Sequence, residues 1–187
     1  MTGAGNAALL TRAQLRSLVR TVPDFPKPGI AFRDITSLLG DGPGLSSTIE
    51  HLTALASDAG AQAIAGIEAR GFVFGAAIAA RLGVGFVPVR KPGKLPVATI
   101  GVDYALEYGT DRLEMDPDAI AQGQRVVLVD DLIATGGTAL AAAQLLREAG
   151  GVLDTALFVI DLPDLGGAAR LREADLAVEA LMAFDGD

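Results

Sequence analysis

Residues Val126 to Val129 run without a polar interruption in "RVVLVDDLIATGGTA", and two acids, Asp130 and Asp131, follow at once. Three of the four side chains are β-branched, and the run is too short for a buried helix. It therefore reads as a strand covered on both faces. Such a strand belongs to a parallel sheet, because only crossover connections place helices on both sides of it. The rest of the chain must then supply strands and helices in alternation.

It does so. "AQAIAGI" (61–67) and "VGFVPV" (84–89) read as strands on either side of the small-residue helix "GFVFGAAIAARLG". After the central strand, "GGTALAAAQLLREAGG" reads as a helix, "LDTALFVI" as a strand, "GGAARLREA" as a helix and "LAVEALM" as a last strand. A helix is expected over Gly44 to Ala59, with Ser46 and Ser47 near its start and Gly60 as its stop. Leu15, Leu18 and Val19 fit one face of an N-terminal amphipathic helix, and "PDFPKPG" then forces an irregular turn. Lys91 to Gly109, punctuated by Gly and Pro, reads as an irregular polar segment outside the core. The segment Phe72 to Ile78 is expected to offer an exposed apolar patch. With 187 residues, half of them apolar, the chain is expected to form a single domain.

Composition excludes several classes of function. The sequence has no cysteine, so disulfides, thiolate metal sites and cysteine nucleophiles are ruled out, and a reducing, cytoplasmic compartment is expected. The one histidine, His51, follows Glu50 on a helix and has no second ligand in its neighbourhood, so it reads as a packing or surface residue. A formal net charge of -8 opposes nonspecific attraction to nucleic acid or anionic lipid. No targeting signature and no membrane-spanning run is read in the sequence. An anionic ligand needs a local reversal of sign, and "VPVRKPGKLP" provides one, with Arg90, Lys91 and Lys94 free of intervening acids.

Ligands of parallel α/β sheets bind beyond the carboxyl ends of the strands. "EARG", "RKPGK" and "DDLIATGGT" each follow a strand, so the three loops are expected to converge. Gly136 and Gly137 let backbone amides approach a phosphate, Thr135 and Thr138 add hydroxyl donors, and the following helix presents the positive end of its dipole. Neither a Walker A loop nor a GxGxxG fingerprint is present. Taken alone, "TGG" also reads as an ordinary helix N-cap. Asp130 and Asp131 beside an anion cradle call for a partner of another kind, either the vicinal hydroxyls of a sugar or a magnesium ion.

"VVLVDDLIATGGTA" resembles the 5-phosphoribosyl pyrophosphate (PRPP) motif of the type I phosphoribosyltransferases. "FPKPGIAFRDIT", "EARGF", "VPVRKPGKLP" and "LEYGTD" resemble, in order and spacing, segments of the adenine phosphoribosyltransferase family. The resemblance covers about residues 23 to 140. It implies an α/β fold with a central, mostly parallel sheet, a mobile lid over 91–109 and a small N-terminal hood within 1–35. The implied reaction is adenine plus PRPP to AMP plus pyrophosphate, with magnesium held mainly by PRPP and water, in a homodimer.

Carried over residue by residue, the resemblance places Ala134, Thr135, Gly136, Gly137 and Thr138 at the 5-phosphate, and Asp130 and Asp131 at the ribose hydroxyls. Ala31, Phe32, Arg33 and Ile133 fall at adenine. Glu68 and Ala69 match a pyrophosphate-binding peptide that is often cis, and Arg70, Lys91 and Lys94 match cations facing pyrophosphate. Arg90 is expected to reach across a dimer interface. Glu107 matches the catalytic lid acid, either as proton acceptor or as positioning group, and Tyr108 its neighbour over pyrophosphate. Two other enzyme readings and one non-enzyme reading compete: transfer to a 6-oxopurine or xanthine, PRPP synthesis, and a PRPP-sensing transcriptional regulator. The "FPKPGIAFRD" segment opposes the first. PRPP synthesis needs an ATP site and a longer chain, and a regulator needs a DNA-binding module or basic face.

Overall fold

The computed structural model describes residues 8–106 and 109–186. In chain order the elements are α1 (Arg12–Leu18), β1 (Arg20–Pro23), β2 (Ala31–Asp34), α2 (Thr36–Gly40), α3 (Gly42–Asp58), β3 (Ala63–Ile67), α4 (Arg70–Leu82), β4 (Gly85–Val89), β5 (Ile100–Leu106), β6 (Gly109–Met115), β7 (Arg125–Ile133), α5 (Gly137–Glu148), β8 (Val152–Asp161), α6 (Gly167–Glu173) and β9 (Ala177–Ala183). Five strands form one sheet in the order β4-β3-β7-β8-β9, and every pairing in it is parallel. The α/β class expected from the Val126–Val129 run is the class observed.

Alternation along β7 explains why that run had to be apolar throughout. Val126 and Leu128 pack with α5, α6 and the β6 residues Leu113 and Met115. Val127 and Val129 point the other way, into a second core made with α1, α2, α3 and α4 through Leu15, Leu38, Leu52 and Phe74. Both faces of the strand are thus covered, and a polar residue at any of the four positions would lack water. On the α4 side the layers approach closely. A Cβ added at Gly66 of β3 or at Gly75 of α4 would lie 2.8 Å from the Phe86 ring, so contact distance sets the small residue on both the strand and the helix.

The strand order reverses between β3 and β7. From β3 the chain crosses through α4 to β4 at one edge, and from β7 it crosses through α5 and α6 to β8 and β9 at the other. A crevice opens at such a switch point, beyond the carboxyl ends of the two strands. Glu68–Arg70 and Asp130–Thr138 are the segments that leave those ends.

Two antiparallel hairpins stand outside the sheet: β1 with β2, and β5 with β6. The second one revises the expectation of an irregular segment ending at Gly109. Regular pairing joins Ile100–Leu106 to Gly109–Met115, and the hairpin is rooted in the core by Leu113 and Met115, both fully buried. Asp111, Arg112 and Glu114 obscure the alternation in the sequence. In the structure Arg112 pairs with Asp103 directly across the hairpin at 3.0 Å and with Glu114 at 3.2 Å, so these charges belong to a strand.

Three smaller expectations are also revised. Helix α3 starts two residues before Gly44, where Asp41 accepts the Gly44 amide at 2.7 Å. Ser47 is buried instead and accepts the Leu10 amide at 3.0 Å. Within Phe72–Ile78, Phe74 and Ile78 are core residues and Phe72 packs edge-on against Phe86, leaving Val73 as the exposed large side chain. His51 Nε2 donates to the Leu10 carbonyl at 2.8 Å, a local packing role. Among the described residues no helix is long and apolar enough to cross a membrane.

Candidate active site

A cavity of about 300 Å³ occupies the switch point. Ile67, Glu68, Ala69 and Arg70 form one wall, Asp130 through Ala139 the other, and Lys91 closes the side. The three loops expected to converge therefore do so around one space.

The β7–α5 turn shapes the first wall. Gly136 has φ +81, and a Cβ there would lie 3.0 Å from the Gly167 carbonyl, so glycine is required both by conformation and by contact. The carbonyls of the turn are turned away from the cavity: Gly167 donates its amide to Ala134 at 2.9 Å, and the Arg170 guanidinium donates to Thr135 at 2.7 Å. No side chain caps α5. Its first-turn amides lack intrahelical partners and open on the cavity beside Gly137 and Thr138, an arrangement that binds an anion. An N-cap supplied by Thr135 is not what the structure contains.

The start of α4 supplies the opposing wall. The Glu68–Ala69 peptide is cis. No side chain caps α4 either, so two helix N-termini face the same space. Gly71 allows α4 to abut the acids, since a Cβ there would lie 2.8 Å from both Asp130 Oδ1 and the Val129 carbonyl. Asp131 is 4% exposed and is paired with Arg70. Asp130 accepts the Asp131 amide at 2.9 Å. Burial pushes the Asp130 carboxyl well above the usual carboxylate range, and the neighbouring Asp131 charge adds to the effect.

Glu68 accepts from Arg90 Nε at 3.1 Å, from Arg90 Nη2 at 3.4 Å and from the Lys91 amide at 3.2 Å. Burial would raise the Glu68 pKa, but the Arg90 guanidinium and the Lys91 amide outweigh it and the carboxyl lies below its ordinary value. Arg90 also donates to the Lys94 carbonyl at 2.9 Å, and its backbone pairs with Glu114 in both directions at 2.8 Å. Within this chain Arg90 buttresses the Glu68 wall. Lys91 does line the cavity, and it is bound by Asp111 and by Tyr104.

Ile133 lies in the cavity wall and is 2% exposed, while Lys94 is exposed and outside the lining. Ala31, Phe32 and Arg33 sit on β2, in the N-terminal hairpin, also outside the lining. Phe32 packs edge-on with Phe25 at 5.1 Å. The Arg33 guanidinium donates to Thr21 Oγ1 and to the Gly186 carbonyl, both at 2.7 Å, and lies 4.9 Å from the Phe184 ring centroid. The hairpin end still reaches the site electrostatically: Arg70 is held protonated against burial by Asp131, Asp130 and Asp34 together. Glu107 and Tyr108 lie outside the described residues.

Several residues of this site were not singled out in the sequence. Arg170 and Gly167 hold the cradle from α6, and Asp111 and Tyr104 hold Lys91 from the hairpin. The alternation of Asp111, Leu113 and Met115 along β6 was the available signal for the last pair.

An uncapped helix N-terminus, a pair of acids and a cationic wall at the switch point of a parallel sheet define a phosphoribosyltransferase-like protein. The phosphoribosyl transferase domain family matches residues 39–170. The adenine phosphoribosyltransferase of Novosphingobium aromaticivorans is 71% identical over 177 residues, covering 95% of this chain and 99% of that one. The crystal structure of adenine phosphoribosyltransferase from Thermoanaerobacter pseudethanolicus has a TM-score of 0.87 at 48% identity, covering 93% of this chain and 100% of that one. That of the Saccharomyces cerevisiae enzyme, complexed with an imino-altritol bisphosphate and adenine, has a TM-score of 0.86 at 36% identity, covering 91% of this chain and 98% of that one. The chain belongs to the adenine phosphoribosyltransferases, a glycosyltransferase family of enzymes.

Proposed function

We propose that this chain transfers the phosphoribosyl group of PRPP to adenine, forming AMP and releasing pyrophosphate, as a step of purine salvage. The observation that carries the reading is that one cavity is lined by the start of α5, by two acids that adjoin the start of α4 through the Asp131–Arg70 pair, and by Lys91. PRPP carries a matching set of groups: a phosphate, a vicinal diol and a diphosphate. The yeast relative's complex with adenine and a bisphosphate supports the pairing of base and phosphate sites.

In this reading the amides and hydroxyls of Ala134–Thr138 hold the 5-phosphate, with Thr135 and Thr138 as side-chain donors. Asp131 accepts from a ribose hydroxyl. Asp130, with its raised pKa, keeps a proton to higher pH than an ordinary carboxyl and can both donate to and accept from the diol. Arg70, Lys91 and the Glu68–Ala69 peptide face the diphosphate, with Arg90 and Lys94 behind them. Ala31 through its backbone, Phe32, Arg33 and Ile133 belong to the adenine side, with Glu107 and Tyr108 on the lid.

The chemistry follows from that placement. The bond between C1 of ribose and the pyrophosphate oxygen breaks, the adenine N9–C1 bond forms, and the N9 proton leaves. Positive charge develops on the ring as in glycoside cleavage, so water must be kept out by the lid. Fixed cations that meet the growing charge on the leaving group contribute most where they need no reorganisation.

Magnesium fits this site as an ion carried on the substrate. Asp130 and Asp131 are hard oxygen donors on the wall, and among the described residues no group of three metal-binding side chains is assembled, so diphosphate oxygens and water would complete its shell. Bound there, it neutralises diphosphate charge. A homodimer and a cytoplasmic setting complete the proposal. The absence of cysteine supports the second.

The test is turnover of adenine with PRPP and magnesium, run beside hypoxanthine, guanine and xanthine. Adenine-selective formation of AMP supports the reading, and selective turnover of another base overturns its substrate.

A further inference from the structure

The two cations that line the cavity, and Arg90 behind its wall, are each paired with a carboxylate of the chain itself: Arg70 with Asp131, Arg90 with Glu68, and Lys91 with Asp111. The first two pairs stay within the loops of the sheet. The third crosses from the end of β4 to the β5–β6 hairpin.

The hairpin is built to make that crossing. Tyr104 and Asp111 stand directly opposite each other in its register. Lys91 Nζ donates to Tyr104 Oη at 3.0 Å and to Asp111 Oδ2, and Tyr104 Oη donates to the same carboxylate oxygen at 3.1 Å. The other oxygen, Asp111 Oδ1, accepts the Arg112 amide at 2.7 Å, which fixes the orientation of the carboxylate. Lys91 also lies 5.5 Å from the Tyr104 ring centroid. The root of the hairpin is secured separately by the backbone pairing of Arg90 with Glu114 and by buried Leu113 and Met115. Residues Ile100, Val102 and Tyr104 of β5 also pack against the core. Breaking the Lys91 contact therefore leaves the hairpin attached.

We infer that Asp111, with Tyr104, is a positioning residue that latches Lys91 to the hairpin until a diphosphate takes the ammonium. This inference rests on the proposed reading of the cavity as a diphosphate site. Lys91 and Asp111 are 38% and 29% exposed, so their pair is solvent-screened and exchangeable. A phosphate oxygen bearing more charge is the stronger partner for the ammonium. Arrival of the diphosphate exchanges Asp111 for phosphate oxygens at the Lys91 ammonium, while the backbone pairing of Arg90 with Glu114 keeps the hairpin in place. Departure of pyrophosphate restores the pair, so Asp111 lowers affinity for this product and favours its release.

The experiment is calorimetric titration with pyrophosphate of the wild type, Asp111→Asn, Tyr104→Phe, Lys91→Met and the Lys91→Met/Asp111→Asn double variant, with thermal melts confirming that each is folded. A screened pair of this kind corresponds to a gain of about 2- to 5-fold in affinity for Asp111→Asn. Tyr104→Phe should give a smaller gain and stands in if Asp111→Asn does not fold. Lys91→Met should bind more weakly, and the double variant no more tightly than Lys91→Met. Unchanged or weaker binding by Asp111→Asn overturns the latch, as does an equal gain in the Lys91→Met background, which would reduce Asp111 to a distant repulsive charge. Wild type that binds no pyrophosphate overturns the reading of the cavity, and the latch with it, before any substitution is considered.

Discussion

Asp130 and Asp131 are adjacent acids with opposite surroundings. Asp131 has Arg70 as a partner, whereas Asp130 is desolvated beside the Asp131 charge and its pKa is raised. A carboxyl whose folded pKa exceeds its unfolded value binds more protons in the folded state, so its contribution to stability declines as pH rises from the unfolded value through the folded one. Asp130→Asn removes that penalty. It should raise the melting temperature at neutral pH and leave it nearly unchanged near pH 3, while weakening PRPP binding, as read by melts across pH beside a PRPP titration. Asp34 has the reverse sign. Hydrogen bonds from Thr36 and then Arg20 lower its pKa to about 2. Its contribution is present above the unfolded value near 4 and is lost as pH falls toward 2, so Asp34→Asn should flatten the acid limb of the stability profile. Gly71 tests the packing behind both acids. Gly71→Ala places a methyl against the Asp130 carboxylate and the Val129 carbonyl, and should cost about 1–3 kcal/mol in urea unfolding.

At the scale of elements, the sheet and its helices were legible because buried strands and amphipathic helices leave periodic patterns. β7 shows this best, since Val126 to Val129 alternate between two cores. The hairpin β5–β6 was not legible as strand. Its outer face carries Asp103, Arg112 and Glu114, and two apolar residues, Leu113 and Met115, are a weak pattern without knowledge of what covers them. Those two residues root the hairpin, so Leu113→Ala should cost about 2–5 kcal/mol in denaturant unfolding. The site divides in the same way. The β7–α5 loop was readable because its glycines, threonines and acids are contiguous. The partners that position it, Gly167, Arg170, Asp111 and Tyr104, come from elements that touch the loops only after folding. Arg33 shows the same limit: the bonds that hold its guanidinium, to Thr21 and Gly186, come from segments far from it in sequence or outside its own strand.

For the whole molecule, the contrast that matters is between a net charge of -8 and a cavity walled by Arg70, Lys91 and two helix N-termini. The global field repels an anion, and the local site must overcome that repulsion at short range. Added salt screens both attraction and repulsion over roughly 10 Å at 0.1 M. The apparent affinity for PRPP should therefore respond to ionic strength, whereas that for uncharged adenine should not, which a KM series for each substrate from low to high salt would reveal. The reversal of strand order at the switch point brings these groups into one space, and the central question is whether that space performs the transfer. The most direct measurement is the absorbance-monitored conversion of adenine with PRPP and magnesium, on wild type and on Asp131→Asn. Adenine-selective formation of AMP that falls at least tenfold in Asp131→Asn is the predicted result. Absence of turnover in wild type, or equal turnover in both proteins, would contradict it.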